Sequence, residues 1–122
     1  MRRPSEGSSV GSGIRGPVLH VHTVFFWLWK TISDEERRTF ENGLDLLTRD
    51  PNVRDRRIGI PAATNRPVID SSYDYAAVLR FDSLEAHDAY QAGATHQVFL
   101  ETCARMWSRV QVFDVDETVS KP

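Results

Sequence analysis

Val18-Leu-His-Val-His-Thr-Val-Phe-Phe-Trp-Leu-Trp29 decides how this chain folds, because it reads as a β-strand with two apolar faces. Its composition is β-branched and aromatic. Period two puts His20, His22, Val24, Phe26 and Leu28 on one side and Leu19, Val21, Thr23, Phe25, Trp27 and Trp29 on the other, both sets mainly apolar. A strand of that kind must be covered twice, by helices on one side and by something else on the other.

Working outward, Ser33-Asp34-Glu35-Glu36 is a capping box that starts a helix, with acids suited to its positive end. Phe40, Gly43, Leu44 and Leu47 form the buried stripe, and Gly43 is read as allowing a close approach to the sheet. Asp50-Pro51-Asn52 closes the helix. Val53 to Pro61 reads as a charged edge strand, and Tyr73 to Phe81 as a third strand with Tyr73, Tyr75, Ala77, Leu79 and Phe81 on one face. A short helix capped by Asp82 or Ser83 runs to Gln91 and breaks at Gly93. A further helix over Thr95 to Ser108 and a last strand over Val110 to Val115 complete the order. Strand–helix–strand–strand–helix–strand is the ferredoxin-like βαββαβ pattern, an α+β fold with a four-stranded antiparallel sheet. Helices on one side leave the other sheet face apolar and bare, so a homodimer packed sheet to sheet is expected.

At 122 residues the chain is one domain, with three Trp and six Phe to build a core. Residues 1–17 read as a disordered tail, 18–116 as the folded domain and 117–122 as a flexible end. A net charge of −2 and no basic stripe argue against nucleic acid. The apolar run is too short and too polar to span a membrane. Cys103 is alone, which excludes an internal disulfide and suits a reducing cytoplasm.

His22-Thr-Val-Phe-Phe-Trp-Leu, Gly59-Ile-Pro-Ala, Tyr75-Ala-Ala-Val-Leu-Arg-Phe81, Tyr90 followed by His96, and Val112-Phe-Asp114 together resemble the stress-responsive dimeric alpha/beta barrel (Dabb) family, from Leu19 to Asp114. The resemblance implies a protomer whose sheet packs against its twin's to make a dimeric alpha/beta barrel. One plant member of that family is a polyketide cyclase, and its first-strand His and later Tyr and His match His22, Tyr90 and His96 here. Gly93-Ala94-Thr95 stands where the family usually has His-Pro and one more residue.

His22, Tyr90 and His96 are therefore the candidate catalytic residues. An imidazole beside a phenol can remove a proton next to a carbonyl and steady the resulting oxyanion. The same three groups can equally serve as paired core polar residues that lock the helix break onto the sheet. The expectation is a binder of a small apolar or aromatic molecule, with cyclase or lyase chemistry as the alternative. His20 and His22 point the same way, but no third ligand stands close in sequence, so no metal is expected. The wider barrel superfamily includes haem-degrading enzymes and cofactor-independent monooxygenases. Neither constellation is found here, and no cofactor is expected. His87, beside Glu85 and Asp88, reads as a surface residue.

Overall fold

The computed structural model describes residues 19–117. The two expected tails, at residues 1–17 and 117–122, fall outside that range except for Glu117. The elements are β1 (Leu19–Leu28), α1 (Asp34–Leu47), β2 (Asp55–Gly59), β3 (Tyr75–Phe81), α2 (Leu84–Ala92), α3 (Ala94–Cys103) and β4 (Trp107–Glu117), with a 3₁₀ turn at Ala104–Met106. The four strands lie in the order β2-β3-β1-β4, every neighbour antiparallel. This is the expected ferredoxin-like α+β arrangement. No helix among the described residues is long and apolar enough to cross a membrane.

β1 and β3 share one buried face because their registers place like periods side by side: His22 sits opposite Leu79 and Val24 opposite Ala77. Phe26, Leu28, Tyr75, Leu79 and Phe81 point from that face into the helices, where Phe40, Leu44 and Phe99 meet them. Phe40 is wholly buried, and its ring lies 5.1 Å from Phe26, 5.3 Å from Tyr75 and 5.9 Å from Phe99. The capping box forms as read: Ser33 Oγ accepts from the Glu36 amide at 3.0 Å, and the Ser33 amide donates to the Glu36 carboxylate at 2.8 Å.

Four local expectations are corrected. The last helix stops at Cys103, five residues early, because Trp107 already pairs with Leu28 as the first residue of β4. Its ring still reaches the core, stacking on Phe99 at 5.7 Å, so a helical i,i+4 spacing from Cys103 concealed a strand start. Tyr73 precedes β3 and turns to the opposite face, where it packs on Phe25 at 4.8 Å. Gly43 makes its close approach to α3 rather than to the sheet. A methyl group there would meet Cys103 Sγ at 2.7 Å. Finally, His87 is buried, at 8% exposure.

The sheet face away from the helices carries Val21, Phe25, Trp27, Val78, Phe113 and Val115 by alternation. Phe113 and Val115 are 57% and 53% exposed there. One end is partly roofed by the chain itself. Trp27 Nε1 donates to Ser72 Oγ at 3.0 Å, and the Arg109 guanidinium lies 4.2 Å over the Trp27 ring.

Candidate functional site

The fold brings the three candidate residues together. His22 comes from β1, Tyr90 from α2 and His96 from the start of α3. Tyr90 stands in the middle, its ring 6.3 Å from His22, 5.3 Å from His96 and 5.1 Å from Phe81. The helix break at Gly93 is what turns His96 back toward Tyr90. The Gly93 amide bonds to the Tyr90 carbonyl, and its extended backbone then opens α3 in a new direction.

Tyr90 is only 2% exposed, and no hydrogen bond to its hydroxyl is found among the described residues. A buried hydroxyl without a partner costs about 1–3 kcal/mol. Burial, with a further contribution from the Asp50 carboxylate, pushes its pKa well above the ordinary phenol value. Tyr90 is therefore a proton donor over the whole working pH range. His96 has the opposite character. Burial lowers its pKa against the opposing charge of Asp50, with His87 lowering it further, so the imidazole is neutral and basic at pH 7.

That lowered value has a direct consequence. Between it and the unfolded value near 6.5 the unfolded chain binds more protons than the folded one, so stability falls as pH drops through that window. The His96 ring protons should titrate in an NMR experiment with a midpoint below 6.5, and a midpoint above it would contradict a buried, neutral base.

His22 is held more tightly than its sequence context suggests. Its Nδ1 lies 2.7 Å from Asp114 Oδ1 and 3.3 Å from His87 Nε2. Burial pulls its pKa down, against the opposing bond to Asp114. Sequence reasoning missed His87, Asp114 and Asp50. His87 and Tyr90 are three apart on α2 and share its inward face, a spacing that was legible. Asp114 becomes a neighbour of His22 only through the β1–β4 register, which the sequence does not reveal. The ground for expecting no metal, the lack of a nearby third ligand, is removed by this folding: His20, His22, His87 and Asp114 each turn a ligand atom into a space where all lie within 4.8 Å.

Two open depressions lie outside this cluster. One of about 390 Å³ is lined by Glu41, Asp45, Arg56 and Ile58. The other, about 320 Å³, runs from Thr48 to Arg56 and meets the site only at Asp50, whose charge is felt by both Tyr90 and His96.

Residues 21–117 match the Stress responsive A/B Barrel Domain, Dabb. The chain belongs to that family. Among solved structures it is similar to a Dabb protein of Mesorhizobium loti, 21% identical over 80% of this chain and 95% of that one, with a TM-score of 0.64. A dimeric ferredoxin-like protein from Thermobifida fusca aligns at 18% identity and TM-score 0.67, over 86% of this chain and 96% of that one. The hydroxynitrile lyase of Passiflora edulis aligns at 14% identity and TM-score 0.71, over 88% of this chain and all (100%) of the other. These likenesses concern the Dabb fold. No curated protein sequence matches the chain.

Proposed function

We propose that this Dabb protein works as a homodimer and that each protomer binds a small apolar or aromatic molecule through a carbonyl or hydroxyl oxygen at Tyr90. The observation that carries the reading is the buried Tyr90 hydroxyl with no partner among the described residues. A ligand oxygen accepting its proton would relieve the cost of leaving that group unpaired. Access follows from how α2 is held. Its buried side chains are His87 and Tyr90, two polar rings, while Leu84 faces solvent. Ala86 also packs against the core, so the ligand would enter by local opening of this nine-residue helix. The homodimer is supported by the exposed Phe113 and Val115 face and by relatives described as dimeric.

The neutral state of His96 favours a second reading, chemistry of the cyclase or lyase type. In ring closure, His96 would take the proton alpha to a carbonyl, the resulting carbanion would attack a second carbonyl carbon, and Tyr90 would hydrogen-bond to the oxygen that gains charge. Cleavage of a hydroxynitrile, the activity for which the Passiflora relative is named, uses the same parts. Here His96 would take the hydroxyl proton, the carbon–cyanide bond would break, cyanide would leave with the electron pair, and a carbonyl would form.

Two variants separate these readings. Tyr90→Phe should raise the stability of the ligand-free protein by about 1–3 kcal/mol, since it deletes a hydroxyl that has no partner among the described residues. It should also weaken benzaldehyde binding about tenfold, a loss of about 1.4 kcal/mol. If catalysis operates, His96→Ala should slow mandelonitrile cleavage by about a hundredfold or more while leaving benzaldehyde affinity nearly unchanged. A Tyr90→Phe protein that is less stable and binds benzaldehyde as well as the parent removes the binding reading.

A further inference from the structure

We propose that His20, His22, His87 and Asp114 form a binding site for a divalent transition-metal ion of the zinc class, tying together β1, β4 and α2. The spacings approach those of a coordination sphere, the whole set lying within 4.8 Å, so that a small inward shift of the rings would complete it. His87 Nε2 lies 3.3 Å from His22 Nδ1, and His20 Nε2 lies 3.2 Å from Asp114 Oδ1. His22 Nδ1 is 2.7 Å and His87 Nε2 is 4.0 Å from the same oxygen. Ligand atoms around a tetrahedral zinc, bonded at about 2.0–2.1 Å, stand about 3.3 Å from one another.

The outer contacts fit equally well. His20 Nδ1 faces Asp116 Oδ1 at 3.4 Å, and His87 Nδ1 faces Asp88 Oδ1 at 3.1 Å. A metal-bound imidazole characteristically gives its other ring proton to a carboxylate in this way. With those two N–H groups directed at Asp116 and Asp88, the inward nitrogens of His20 and His87 carry lone pairs, and that of His20 faces an acceptor, Asp114 Oδ1, at 3.2 Å. His20 Nε2 then opposes the Asp114 carboxylate, lone pair against lone pair. A cation at the centre resolves that conflict for the whole set at once.

The three imidazoles are at most 8% exposed, which sets this group apart from ordinary surface acids. The Asp114 side chain is 43% exposed, so an ion can enter from the β4 edge. Three nitrogens and one oxygen suit zinc, cobalt or nickel over magnesium or calcium, which take oxygen ligands. His22 touches both this cluster and Tyr90, but the metal site does not depend on the Tyr90–His96 reading.

The test uses the full chain, stripped with a chelator and dialysed against micromolar zinc. One zinc per chain should remain bound, and thermal unfolding should move to higher temperature as zinc is added. His87→Gln and Asp114→Asn should each weaken zinc binding by about a hundredfold, whereas His96→Ala should bind it like the parent. Should the variants unfold, nitrogen-15 NMR of the parent decides. Zinc should shift His20 Nε2, His22 Nδ1 and His87 Nε2 while leaving the His96 ring unmoved. Absence of retained zinc, affinity unaltered in a folded His87→Gln protein, or ring-nitrogen shifts elsewhere would each overturn the site.

Discussion

Phe113→Asp should turn the protein from a dimer into a folded monomer. Phe113 sits near the middle of β4 on the face away from the helices, opposite Thr23 in register and 6.2 Å from the Phe25 ring. Alternation puts Val115 and Val21 beside it, so the apolar surface is continuous across the β1–β4 pair. Burying one such ring is worth about 1.5–3 kcal/mol, and twofold symmetry counts every substitution twice. The loss of about 3–6 kcal/mol corresponds to a dissociation constant raised about a hundredfold to ten-thousandfold. A carboxylate facing its own twin in an apolar seam adds to that cost. Sedimentation should show the parent as a dimer at micromolar concentration and the variant at half the mass, with unchanged circular dichroism. A parent that sediments as a folded monomer contradicts the sheet-to-sheet dimer outright.

Phe40→Ala has the largest expected effect within the protomer. Phe40 is where α1 enters the core, at 0% exposure among Phe26, Tyr75, Phe99 and Trp107. Truncating such a ring costs about 3–5 kcal/mol, a transfer loss plus a cavity the neighbours only partly fill. Domains of this size have about 5–15 kcal/mol in total, so the variant should lose a large fraction of its stability. Urea denaturation measures it through a lower midpoint at an unchanged slope. A loss under about 1 kcal/mol would mean that α1 is not held through this ring.

Element order was legible in the sequence wherever one physical signal acted alone. Alternation marked β1 and β3, and the reciprocal Ser33–Glu36 bonds marked the start of α1. Legibility failed where one pattern served two structures. Trp107 keeps helical spacing from Cys103 yet begins a strand, and Tyr73 keeps strand spacing from Tyr75 yet lies before the strand and faces the other way. The site divided along the same line. Tyr90 and His96 flank a helix break and are local in sequence, so their meeting could be read. Asp114 reaches His22 across 92 positions, through a register set by the whole of β4, and His87 was misjudged because charged neighbours hid its inward direction. Contacts of that range are settled by packing, which no local pattern encodes.

The central claim concerns the Tyr90 hydroxyl, which has no partner among the described residues, and a crystal structure with benzaldehyde bound tests it most directly. The account predicts the aldehyde oxygen at about 2.7–2.8 Å from the Tyr90 hydroxyl, with α2 displaced and the ring beside His96. Benzaldehyde seated only in the depression beside β2, with Tyr90 still closed in by the protein, would contradict it.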